Sequence, residues 1–124
     1  MAGSFADSPR NGAWGDRPYS IIDWNGPTSY TAITPGTVTV GPTGGQAITP
    51  AAFGLTAGLE GIFAVSGSAS GTYHVIAYQT TAYNKGQPNP TWVLQWITSA
   101  TGVEVAGATN LSTEVVRLVG FGPY

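Results

Sequence analysis

The sequence predicts an all-β protein, a small β-sandwich or β-barrel with short helical turns and an extended N-terminal arm. Three observations predict it. Short apolar or alternating segments recur roughly every 8–12 residues between Gly, Pro, Asn and Ser punctuation. No segment carries a helical apolar stripe longer than about two turns. Eighteen glycines and nine prolines together exceed a fifth of the 124 residues, a composition that breaks helices and marks turns.

The elements are organised around Gly44-Gly45-Gln46-Ala47-Ile48-Thr49-Pro50-Ala51-Ala52-Phe53-Gly54-Leu55. Thr49 is placed to cap a single helical turn. Pro50 follows at the first helical position, where its missing N–H costs nothing. Gly54 ends the turn in a conformation that other residues dislike. Phe53 and Leu55 are left as apolar pegs for plugging the open end of a sheet or barrel.

Before this stretch the chain is extended and proline-marked. Residues 1–20 read as an arm and residues 21–124 as one β domain. The first strand-like run is Tyr19-Ser20-Ile21-Ile22-Asp23-Trp24, closed by the Asn25-Gly26-Pro27 turn. Residues 30–33 are expected to extend alongside it. Thr37-Val38-Thr39-Val40 alternates strictly and predicts a half-buried strand.

After the peg, residues 59–65 form an apolar run without alternation, which predicts a strand buried on both faces. Tyr73, Val75 and Ala77 share one face of the next strand, and His74, Ile76 and Tyr78 share the other. Residues 84–90 read as a hairpin loop. Trp92, Leu94 and Trp96 then share a face that should dominate the core or an interface. Short runs at 103–105 and 115–121 complete the set. The expected core is Phe53, Leu55, Ile62, Phe63, Val75, Leu94, Trp96, Val116 and Leu118.

Charge is the unusual quantity. Only 8% of residues are Asp, Glu, Lys or Arg, against about 25% in typical soluble domains. A free monomer usually stays soluble through mixed surface charge. So sparse a supply predicts a surface coated in hydroxyls or covered by partners, as in a subunit of an assembly. A net charge of −2 with four scattered cations gives no footprint for nucleic acid. The absence of cysteine excludes disulfides and thiolate metal sites. The first residues lack the basic start and apolar core of a signal peptide. No apolar run approaches the roughly 18 residues of a membrane helix.

The residues supply no catalytic constellation. His74 is the single histidine, and on an apolar strand it reads as structural. The six carboxylates are dispersed, with no two at metal-ligand or paired-acid spacing. There is no Gly-x-Ser-x-Gly elbow, and the glycines of 41–45 lack the Lys of a phosphate loop. No enzyme, metal or cofactor is expected. Trp24, Trp92, Trp96 and Tyr78 are of a type that stacks sugars, though core packing is the commoner use.

Three stretches carry a resemblance. They are the Gly44–Leu55 run, Gly71-Thr72-Tyr73, and Glu104-Val105 with Asn110-Leu111-Ser112-Thr113-Glu114-Val115-Val116-Arg117. Over roughly residues 37–122 the chain resembles small tailed-bacteriophage virion proteins of the capsid decoration, or cement, type. The resemblance implies a head protein made in the host bacterial cytoplasm. It would bind the major capsid protein on the outer capsid surface and stabilise the shell. It also implies a homotrimer, since decoration proteins of this kind often sit at local threefold positions. A cement protein needs area and shape complementarity rather than catalytic groups, which agrees with the composition. The alternative is a tail- or fibre-associated module that recognises carbohydrate or another virion protein. Phe5, Arg10, Trp14, Arg17 and Tyr19 are the candidate partner-binding residues of the arm, with the rings as anchors and the arginines as partners for acidic groups.

Overall fold

A computed structural model describes residues 5–14, 17–37, 40–56, 58–80 and 91–123, and of residues 5–11 and 14 the backbone alone. Among the described residues the strands in chain order are β1 (Phe5–Trp14), β2 (Arg17–Asn25), β3 (Gln46–Ile48), β4 (Gly61–Ala64), β5 (Tyr73–Gln79), β6 (Trp92–Thr98), β7 (Val103–Glu104) and β8 (Val115–Phe121). They form two antiparallel sheets packed face to face as a small sandwich. The first runs β1-β2-β8-β4. The second runs β3-β6-β5, with β7 also paired to β6.

Alternation in β2 and β8 creates the inner face of the first sheet. Ser20, Ile22 and Trp24 point inward from β2, and Val116, Leu118 and Gly120 do so from β8. In the second sheet Trp92, Leu94 and Trp96 face inward opposite Gln79, Ala77 and Val75. Both shared faces expected for β5 and β6 are therefore present. The 3-10 turn Pro50–Phe53 follows β3 with Pro50 at its start, and Gly54 ends it at φ 71°; Thr49 stands at the cap position but its side chain makes no cap hydrogen bond. Its Phe53 is fully buried and packs on Gly120 of β8, where a Cβ would lie 2.6 Å from the ring. The peg thus closes the core between the sheets, as expected.

Buried hydrogen bonds fix the sheets to one another. Gln46 of β3 accepts from Trp96 Nε1 at 2.9 Å and donates from Nε2 to the Asn25 carbonyl at 2.9 Å. Asn25 closes β2, so a single carboxamide spans both sheets. Tyr30 fills a gap along β6. Its hydroxyl accepts from the Trp96 backbone N–H at 3.2 Å and donates to Glu104 at 2.8 Å. Here β3 has stopped pairing with β6 and β7 has not yet begun. Without Tyr30 the Trp96 amide would be a buried donor with no acceptor, which folded proteins rarely tolerate.

Several expectations are corrected. The arm does not stand apart from the domain. Residues 5–14 are extended, but as edge strand β1 paired with β2, and β2 itself begins at Arg17. Residues 30–33 lie outside any strand. Of the strand expected at 37–40, Val38 and Thr39 lie outside the described residues. Thr37 and Val40 close a turn, with the Thr37 amide donating to the Val40 carbonyl at 2.6 Å, and Val40 is exposed. Neither Thr37 nor Val40 lies in a strand. The expected hairpin loop at 84–90 also lies outside the described residues. β4 is not buried on both faces: Phe63 is 47% exposed and Ile62 is half-buried. The strand covered on both faces is β6, where Val93 and Ile97 are buried as well as the inward residues. Loop 31–45 crosses its outer side, and Gly45, at φ 71°, nests against Val93 and Ile33.

Candidate binding surface

The described charged side chains are all committed within the chain. Asp23 and Arg117 are register partners across β2 and β8, joined by two hydrogen bonds of 2.7 and 3.1 Å. Arg17 pairs with Glu60 at 2.8 Å. Glu104 accepts from the Tyr30 hydroxyl and from the Ile33 amide, both at 2.8 Å. Glu114 accepts from the Ser70 hydroxyl at 2.7 Å. His74 Nδ1 lies 2.9 Å from the Ser99 hydroxyl. Burial, and then the hydrogen bond to Glu104, push the Tyr30 phenol well above its ordinary range. Among the described residues the outward charge is thus confined to paired groups, with Arg17 and Arg117 half exposed beside hydroxyl, amide and apolar surface.

On the first sheet, strand register arranges that surface. The pairs Ile21↔Val119 and Phe63↔Val119 place three apolar side chains in one outward rung. Tyr19↔Phe121 forms the next rung, and the Asp23–Arg117 pair bounds the strip on the other side. Val119 is buried although its side of the sheet faces out, because its neighbours cover it. Phe63 and Val65 stay 47% and 56% exposed. Leaving about half of each in water forgoes roughly 1 kcal/mol per side chain relative to full burial.

On the second sheet, residues 33–37 and 42 and the outward residues of β5 and β6 enclose a groove of about 270 Å³. Ile33, Pro35, Gly36, Thr37 and Pro42 form its loop side, and Tyr78 and Gln95 its strand side. The Tyr78 hydroxyl donates to Gln95 Oε1 at 3.2 Å. The loop is tied at its base by paired Thr34 and Thr43 backbone bonds of 2.9 and 3.1 Å and by the Ile33 amide on Glu104.

Neither family models, curated proteins nor solved structures yield a match to this chain. The surface therefore has to be read from its own chemistry. Among the described residues no three His, Asp or Glu side chains gather into a set able to hold a metal ion, and no described helix is long and apolar enough to cross a membrane.

The candidate arm residues are dispersed by the fold. The side chains of Phe5, Arg10 and Trp14 lie outside the described residues. Arg17 is held by Glu60. Tyr19 is half-buried, with its ring lying over Gly12 of β1. Of the aromatics considered for sugar stacking, Trp24, Trp92 and Trp96 are buried, while Tyr78 lines the groove. Sequence reasoning missed Phe63 as a surface residue because it stands in an apolar run. It missed Gln95 because a polar residue on an alternating strand carries no signal of its own.

Proposed function

We propose that this chain is a structural virion protein that binds the outer surface of a bacteriophage capsid and reinforces it, with the major capsid protein as its partner and a homotrimer as its working form. The observation that carries the reading is the outward face of the first sheet. It has an apolar centre, half-exposed Phe63 with half-buried Ile21 and Phe121, beside the bidentate Asp23–Arg117 pair. An apolar centre with a polar rim is the anatomy of a protein–protein interface. The resemblance of residues 37–122 to decoration proteins supports the same reading. Standard interfaces bury about 800 Å² per partner, more than this strip alone supplies. Edge strand β1, next to β2, lies where it can add the remainder.

The test is co-sedimentation with mature heads. The wild-type chain is expected to pellet with heads in fixed stoichiometry and to run as a trimer in sedimentation equilibrium. Phe63→Asp should keep its fold, because the side chain is half exposed, and should lose head binding. Full decoration by Phe63→Asp would remove this face from the attachment surface. Failure of the wild-type chain to bind any head would remove the function.

A further inference from the structure

We propose that the groove between residues 33–37 and 42 and the outward face of β5 and β6 is a binding site for neutral carbohydrate, taking one sugar ring of a glycan. Its position and chemistry both bear on this. The groove lies on the second sheet, on the opposite side of the sandwich from the proposed attachment strip, so a chain seated by the first sheet still presents it. At about 270 Å³ it falls just below the roughly 300–1,000 Å³ of drug-sized sites, which suits a single small unit.

None of its described lining residues is charged, so they offer an ionic ligand no counter-charge. The lining is also not simply apolar. Ile33, Pro35, Pro42 and the Tyr78 ring offer hydrocarbon and aromatic surface. The Tyr78 hydroxyl is spent on Gln95 Oε1, which fixes the carboxamide and leaves its amide N–H groups as donors toward the groove. The phenolic oxygen keeps acceptor capacity. A sugar ring has the matching two-sided chemistry, with a C–H face for the Tyr78 ring and rim hydroxyls for the amide and the phenol. A purely apolar side chain from a protein partner would instead bury the Gln95 amide unpaired, and unpaired buried donors are selected against.

The site is also preformed. Two prolines limit the loop backbone. The Thr34–Thr43 pair and the Ile33–Glu104 bond hold its base, and the Thr37–Val40 turn closes its tip. Little ordering is then left for ligand binding to drive.

The experiment is an NMR titration of the isotope-labelled full chain with a panel of neutral sugars: glucose, galactose, mannose, N-acetylglucosamine and their disaccharides. The expected result is saturable shifts from at least one sugar, confined to the amides of Ile33, Gly36, Thr37, Tyr78 and Gln95. Tyr78→Ala and Gln95→Ala, both surface changes, should each weaken that binding about tenfold, the loss of one stacking or hydrogen-bond contact. The absence of saturable shifts across the panel overturns the proposal, as do shifts that survive both variants. Groove amides that shift with protein concentration alone would give the groove to a second copy of the chain. Groove amides protected from exchange on heads would give it to the shell. Because Phe63→Asp should retain sugar binding and Tyr78→Ala should retain head binding, the groove and the attachment face can fail separately.

Discussion

Tyr30 shows how much one hydroxyl can hold. It is 1% exposed, and its oxygen both accepts from the Trp96 amide and donates to Glu104. Tyr30→Phe leaves a buried N–H without an acceptor and a carboxylate short of one donor. The expected loss is about 1–3 kcal/mol, read by urea denaturation. The same residue gives the fold an alkaline limit. Its phenol is raised above the ordinary value near 10, so above that pH the unfolded chain releases a proton that the folded chain retains. Stability is full below about pH 10 and falls as pH rises beyond it. Tyr30→Phe should flatten this alkaline slope by one proton. Trp96→Ala acts through volume instead. It should cost about 3–5 kcal/mol by leaving a cavity, and it also strands the Gln46 carbonyl that the indole now satisfies. An unchanged melting temperature would contradict both accounts of the core.

At the scale of elements, the peg and β8 are shaped for one another. Phe53 sits on Gly120, so Gly120→Ala forces the ring aside and should cost about 1–3 kcal/mol. Phe53→Leu combined with Gly120→Ala should recover part of that loss, and a double-mutant cycle measures the coupling. The peg was legible because Thr-Pro at its start and Gly at its end are local instructions. The strands at 73–79, 92–98 and 115–121 were legible for a similar reason, since alternation is written within each segment. Thr37 and Val40 stand outside any strand, because alternation says nothing about whether a neighbour exists to pair with. The burial of β6 on both faces depends on loop 31–45 crossing it, and the exposure of Phe63 on which strand flanks β4. The candidate surface was less legible than the fold. Rungs such as Ile21–Val119–Phe63 join three distant segments, and only pairing register brings them together. Tyr78 was recognised, but not the loop that makes a groove beside it.

For the molecule as a whole, β1 decides how the first sheet ends. Pro9 lacks an amide donor, and register shifts between Phe5 and Asp7 and between Asp7 and Arg10 interrupt its pairing. Both features discourage a further strand from adding at that edge. Deleting residues 2–14 bares the regular edge of β2. The sandwich core should still form, with a lower melting temperature and concentration-dependent light scattering. An unchanged melting curve would show that β1 contributes nothing to the fold. The central position of β8 in this sheet also bears on how the protein is made. β2 and β4 both pair with β8, and Asp23 waits for an Arg117 that lies 94 residues later. At about 5–20 residues per second, β2 leaves the ribosome roughly 5–20 s before its partner exists. During that interval Ile22 and Trp24 have no sheet to enter, so the nascent chain is a natural client for chaperones that shield apolar segments until translation reaches β8.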